Sequence, residues 1–158
     1  MKPASVLAIV EQEKERIPAT GAKRRPRKNI VIVERDAALS DLLREVLWQE
    51  TACHIFRVTT GEQALHLVPQ LRPDLLIVGF HLADMTGMDV YEQLHAIKEL
   101  VLLPTILLGT PQPGVRTGPP LSIGVDQAFD VASLLQTITA LVGEERWPAW
   151  FHGYAARQ

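Results

Sequence analysis

Cysteine is almost absent from this chain of 158 residues, which contains only Cys53. One cysteine excludes an intramolecular disulfide framework and leaves no thiol cluster that could bind a metal. A reducing compartment suits such a chain, and we therefore expect a cytoplasmic location.

Long apolar runs and an excess of one charge are lacking as well. No stretch approaches the roughly 18 apolar residues that a membrane-spanning helix needs. The short apolar stretch near the N-terminus is followed at once by Glu11, Glu13 and Glu15, which is unlike a secretory signal. The formal net charge is -2, so no global attraction to nucleic acid or an anionic membrane is expected.

Short apolar segments alternate with amphipathic ones from Asn29 onward. The run from Ile30 to Val33 is continuously β-branched, which is typical of a parallel strand buried on both faces. Similar runs predict strands at residues 54–58, 75–78, 104–108 and 121–125. Apolar residues at helical spacing predict helices over 36–50, 90–100 and 131–142. A further helix is predicted to begin at a cap on Thr59 or Thr60 and to end between Pro69 and Pro73.

This alternation predicts an α/β fold, because strands interleaved with helices imply right-handed crossovers. We expect a doubly wound, five-stranded parallel sheet with strand order 2-1-3-4-5, whose site lies at the carboxyl ends of the strands. The predicted domain covers residues 29–143. An N-terminal extension with a basic linker, 1–28, precedes it, and an aromatic C-terminal tail, 144–158, follows.

Six spaced motifs in this domain resemble those of response-regulator receiver domains, the CheY-like superfamily with a flavodoxin-like fold. They are Ile30-Val-Ile-Val-Glu-Arg-Asp36, Thr60-Gly-Glu-Gln-Ala-Leu65, Arg72-Pro-Asp-Leu-Leu-Ile-Val-Gly79, Met85-Thr-Gly87, Pro104-Thr-Ile-Leu-Leu-Gly109 and Val125-Asp-Gln-Ala-Phe-Asp130. The resemblance implies a switch in which an aspartate at the end of the third strand, beside Mg²⁺, takes a phosphoryl group.

The residues at the matching chemical positions depart from the family pattern. Gly79 stands at the phosphoacceptor aspartate, Glu34 and Arg35 at the acidic pair, Gly109 at the hydroxyl residue, Gln127 at the lysine, and Gly124 at the aromatic switch. A hydrogen side chain cannot be a nucleophile, and a guanidinium cannot bind a cation. We therefore expect no catalytic residue, no enzyme activity and no Mg²⁺ binding.

Three nearby side chains could replace parts of the lost chemistry. Thr110 follows Gly109, but a shift by one residue reverses side-chain direction unless the backbone bulges. His81 lacks a recognisable orienting partner, and local backbone hydrogen bonding in a turn accounts for Asp84. We assign no catalytic role to His81 or Asp84. Whether Glu34 pairs with Arg35 depends on how the two side chains are directed in the folded chain.

Two segments suggest that the interaction surfaces differ from those of ordinary receivers. Residues 110–121 contain four prolines and two glycines. The helix that receivers carry between their fourth and fifth strands, which is their helix four, should therefore be missing or reduced to a loop. The last 12 residues hold four of the nine aromatics, namely Trp147, Trp150, Phe151 and Tyr154. This tail either folds back over the domain or binds a partner, since exposed aromatic surface is unfavourable in water.

The leading hypothesis is a stand-alone degenerate receiver, or pseudo-receiver: a protein-interaction module in two-component or phosphorelay signalling that is not phosphorylated on aspartate.

An alternative is a nucleic-acid-associated regulator that uses the basic arm from Lys23 to Lys28, which has five positive residues in six. Such binding would be weak and sensitive to salt; otherwise the arm is a solvated linker. A third hypothesis is phosphoryl transfer to an unconventional acceptor such as His81.

Overall fold

The structure, a computed structural model, describes Ile9 and residues 28–50, 53–110, 114–116, 122–125 and 130–142. The strands in these residues are β1 (Asn29–Val33), β2 (His54–Val58), β3 (Leu75–Gly79), β4 (Thr105–Leu108), β5 (Gly114–Arg116) and β6 (Ser122–Val125). The helices are α1 (Ala37–Glu50), α2 (Gly61–Leu71), α3 (Gly87–His95) and α4 (Val131–Val142), with a 3-10 helix at Lys98–Leu100. No helix of the described part is long and apolar enough to cross a bilayer.

The strands form one sheet in the order β2-β1-β3-β4-β6-β5. All neighbouring pairs among β2, β1, β3, β4 and β6 are parallel. Because β6 is the fifth strand of the sequence prediction, the predicted doubly wound order 2-1-3-4-5 is confirmed. Such a sheet brings the carboxyl ends of β1, β3 and β4 to one edge.

One strand was not predicted. β5 pairs antiparallel with β6 and forms an edge of the sheet. It lies in the proline-rich connection after β4, where the described residues form this strand and no helix. Proline is tolerated next to an edge strand because no second neighbour needs its missing N–H.

The core has two layers, one on each face of the sheet. Along β1, Ile30 and Ile32 point to the layer of α1 and α4, whereas Val31 and Val33 point to the layer of α2 and α3. This alternation follows from the two-residue period of a strand. Ile9 is half-buried and packs against the second layer, so the N-terminal extension contacts the domain core at this residue.

Side-chain caps set the starts of two helices. Thr60 and Gln63 form a capping box at α2, and Thr86 and Asp89 form one at α3. The third helix was predicted over 90–100, and these bounds are wrong. It begins at Gly87, directly after its cap, and ends at His95, because Ile97 adopts an extended backbone before the 3-10 helix.

Candidate functional site

A cleft of about 360 Å³ opens at the carboxyl ends of β1, β3 and β4. It is lined by Glu34, Arg35, Asp36, Leu39, Gly79, Phe80, His81, Leu108 and Gly109. Parallel strands end at the same edge of a sheet, so four of the positions identified from the sequence meet here: Glu34, Arg35, Gly79 and Gly109.

The carboxylate of Glu34 covers Gly79. Glu34 is only 7% exposed, and its Oε1 accepts a hydrogen bond of 3.0 Å from the N–H of Asp36. A Cβ atom built on Gly79 would lie 3.1 Å from Cδ of Glu34 and closer still to Oε2. Glu34 therefore fills the space in which a side chain at position 79 would begin.

The two residues after Glu34 have different environments. Arg35 is exposed at the mouth of the cleft, and it forms no ion pair with Glu34 in the described part of the chain. Asp36 caps α1, since its Oδ1 accepts hydrogen bonds from the N–H groups of Ala38, at 3.0 Å, and Leu39, at 3.3 Å. The pairing of Glu34 with Arg35 that the sequence left open is thus not formed.

A backbone irregularity follows β4. The N–H groups of Gly109 and Thr110 both donate to the carbonyl of Val125, at 2.8 and 3.1 Å. Gly109 has a φ of 72°, a conformation that is unfavourable for residues with a Cβ. The backbone does bulge here, but Thr110 is buried and is not one of the residues that line the cleft.

The loop after β3 lies against the backbone at the floor of the site. The N–H of Gly87 donates to the carbonyl of Phe80 at 2.7 Å. A Cβ on Gly87 would meet the carbonyl of Gly79 and lie 3.1 Å from Cα of Phe80. His81 is exposed, pairs with Thr86 in an isolated β-bridge, and meets the Phe80 ring edge-on with ring centres 4.9 Å apart.

Asp84 in the same loop makes long-range contacts. Its carboxylate accepts hydrogen bonds of 2.9 Å from the N–H groups of both Gly61 and Glu62, the first two residues of α2. Burial raises the pKa of this carboxyl, but the backbone hydrogen bonds outweigh it and hold the pKa below its ordinary value. The local backbone hydrogen bonding predicted for Asp84 is present at Asp84 and Met85, but the partners 23 and 22 residues away were not predicted.

Of the remaining predicted site positions, only Gly124 lies within the described residues. Gly124 is a half-buried residue of β6, paired with Leu107 and Gly114, and is not among the lining residues. Gln127 and the aromatic residues Trp147, Trp150, Phe151 and Tyr154 lie outside the described residues, as does the basic arm apart from Lys28.

The donor atoms of the cleft fit a divalent cation poorly. Mg²⁺ is bound through oxygen ligands, usually one or two carboxylates together with phosphate oxygens and water. Here Oε1 of Glu34 accepts a backbone N–H and leaves only Oε2 of that carboxylate open, Asp36 caps a helix, and Arg35 adds a positive charge. Within the described ranges, no three His, Cys, Asp or Glu side chains are grouped to hold a metal ion.

Solved structures of receiver domains share this architecture. The chain aligns with chemotaxis response regulator CheY4 of Vibrio cholerae at a TM-score of 0.62 and 16% identity, covering 73% of this chain and 99% of that one. For a CheY-like receiver domain from Methylobacillus flagellatus the TM-score is 0.60 and the identity 21%, covering 73% and 99%. At such identities the likeness shows the fold.

Sequence comparison gives the family. Residues 30–113 match the family model described as the response regulator receiver domain. The DNA-binding response regulator MtrA of Mycobacterium tuberculosis is 40% identical over 73 residues, 44% of this chain and 30% of the relative, and MtrA of Mycobacterium leprae matches equally, with 31% of its length covered. The fold and the cleft define a doubly wound α/β signalling domain. The chain belongs to the response regulator receiver domain family, and it spans about a third of the length of these relatives.

Proposed function

We propose that this chain is a degenerate receiver, a protein-interaction module of two-component signalling that is not phosphorylated on aspartate. The observation that carries the proposal is the Glu34 carboxylate folded over Gly79. In a switchable receiver that space holds the side chain that reacts. In this chain it holds a buried carboxylate anchored by the N–H of Asp36.

Glu34 does not replace the missing nucleophile in this proposal. Phosphoryl transfer depends on positioning and on stabilising the charge of the transferred group, mainly by a metal ion and cationic side chains. With a poor donor set for Mg²⁺, the cleft provides no metal to neutralise a phosphoryl group beside Glu34. We therefore propose that the chain requires no Mg²⁺ and has no enzyme activity.

Phosphorylation tests this directly. The full chain is incubated with acetyl phosphate and Mg²⁺ at neutral pH, and its intact mass is measured beside the receiver domain of MtrA under the same conditions. We expect no mass increase for this chain and the addition of one phosphoryl group to the MtrA domain. A stable phosphoryl adduct on this chain would overturn the proposal.

A second candidate function is association with DNA. The curated relatives are DNA-binding response regulators, and Lys23 to Lys28 supplies five positive charges in six residues. Binding through this arm would weaken steeply with salt and depend little on base sequence. Its test is gel retardation at low salt with the five basic residues replaced by serine. Substitution is preferable to deleting residues 1–28, because Ile9 packs against the core.

The proposed partner is a signalling protein in the cytoplasm. In this proposal four aromatic side chains of the C-terminal tail either bind the partner or cover the receiver domain, namely Trp147, Trp150, Phe151 and Tyr154. Pull-down with and without residues 144–158 separates the two, because only a binding surface loses the partner when it is removed.

A further inference from the structure

Glu34 is a buried carboxylate with only one of its oxygens hydrogen-bonded. Oε1 accepts the N–H of Asp36, whereas Oε2 has no hydrogen-bond partner in the described part of the chain. Glu34 is only 7% exposed, and Oε2 is not fully buried, so it is an acceptor that a donor entering the cleft can satisfy. Oε2 lies against Gly79 at the floor of the cleft, so a donor can reach it from the open side.

We propose that this cleft binds a cationic side chain, lysine or arginine, of a partner protein, with Oε2 of Glu34 as the acceptor. The inference rests on the proposed function, because it supplies the contact by which an unphosphorylated receiver would hold its partner. The proposed ligand supplies the N–H donors that Oε2 of Glu34 lacks in the described part of the chain.

The charged side chains that line the cleft carry one net negative charge, which suits a singly charged cation better than an anion or a divalent metal ion. Glu34 and Asp36 contribute two carboxylates, and Arg35 contributes one guanidinium. Arg35 is exposed and makes no ion pair with Glu34 in the described residues, so Oε2 of Glu34 is open to another cation. An anion drawn to Arg35 would have to approach Glu34, which costs energy because like charges repel.

The shape of the cleft also suits a long cationic side chain. Its volume of about 360 Å³ falls within the range of roughly 300–1,000 Å³ common for binding pockets. Glycine at positions 79 and 109 adds no side chain beside the Glu34 carboxylate at the floor, and Leu39, Phe80 and Leu108 supply apolar walls. A lysine or arginine can bury its hydrocarbon stem against such walls while its charged end reaches the carboxylate.

The test uses small cations as probes of the full chain at pH 7. n-Butylammonium represents a lysine side chain, methylguanidinium represents arginine, and tetramethylammonium has the same charge without N–H donors. Amide chemical shifts of Gly79, Phe80 and Gly109 are followed by NMR during each titration. We expect saturable shifts with n-butylammonium or methylguanidinium, and the tighter of the two identifies the side chain.

Glu34→Gln is the decisive variant, since its amide oxygen can still accept the N–H of Asp36 while the charge is removed. We expect binding of the responding probe to weaken about tenfold or more, as is typical when a charged hydrogen bond is lost. Glu45→Gln, which removes an exposed carboxylate on α1, is the matched control and should leave the titration unchanged.

Several outcomes would overturn this inference: no saturable shift with either donor cation, equal binding by Glu34→Gln, or equal binding of tetramethylammonium. Failure of the proposed function has a different signature, the phosphoryl adduct described above. A chain that forms no adduct and binds no cation retains the proposed function and loses only this inference.

Discussion

The carboxylate of Glu34 lies directly over Cα of Gly79, with Cδ 3.1 Å from the position of a Cβ on that glycine. Oε1 of the same carboxylate accepts a hydrogen bond from the N–H of Asp36. The segments around Glu34 and Gly79, 45 residues apart in sequence, are therefore in direct contact. Because no side chain at residue 79 competes for it, the carboxylate can remain buried there.

Gly79→Asp tests this arrangement. The new carboxylate would begin inside the space of Glu34 and place two negative charges together, which should lower the free energy of unfolding by roughly 1–3 kcal/mol at pH 7. Urea denaturation measures the change. Gly79→Ala is the control, since it requires only that Glu34 turn aside and adds no charge. Equal stability of the two variants would mean that Glu34 is not held at this position.

Gly87→Ala should destabilise the protein more than Gly61→Ala. At Gly87 the added Cβ meets the backbone of Gly79 and Phe80, which is fixed by β3, and overpacking of this kind costs about 1–3 kcal/mol. At Gly61 the added Cβ meets the side chain of Met85, which is flexible and can move. Thermal unfolding compares the two variants, and a larger loss for Gly61→Ala would contradict the close approach seen at Gly87.

Asp84→Asn should remove part of the acid sensitivity of folding. The N–H groups of Gly61 and Glu62 lower the pKa of Asp84 in the folded state. The ionised carboxylate therefore stabilises the folded protein above the unfolded pKa of about 3.9. This contribution is lost as the pH falls through the folded pKa. We expect the variant to be less stable at pH 7 and the difference to shrink towards low pH. Urea denaturation from pH 7 to 3 measures this, with Glu99→Gln, an exposed carboxylate of the 3-10 helix, as control. A difference that is independent of pH would exclude the charge as its source.

Ile9→Ala should destabilise the domain although it lies 20 residues before β1. Ile9 is half-buried against the layer that also includes Met85 and Met88, and truncating a partly buried isoleucine costs about 1 kcal/mol. Leu102, which is 72% exposed, is the matched position, and Leu102→Ala should change stability by less than about 0.5 kcal/mol. The two variants are compared by chemical denaturation, and similar small effects would show that Ile9 does not pack against the core in solution.

Much of the fold could be predicted because its signals are local. The β-branched run of β1 and the alternating apolar segments after it predict the parallel strands, and the right-handed crossover rule then limits their order. β2 and α4 were predicted with the bounds that the structure has, His54–Val58 and Val131–Val142. The ends of α3 were missed because the Thr86 cap overrides the apolar period that suggested Val90 as the start.

The sequence predicted that Glu34, Arg35, Gly79 and Gly109 meet at the carboxyl edge of the sheet, but it did not predict their contacts. That Gly79 has no nucleophile and Arg35 no carboxylate follows from the residues alone, because those properties belong to each side chain. The fold of Glu34 onto Gly79, the bonds from Asp84 to α2, the bulge at Gly109 and the edge strand β5 all join segments distant in sequence. Only the packed backbone decides how closely such segments approach, because close packing leaves no room for two side chains in the space beside Gly79.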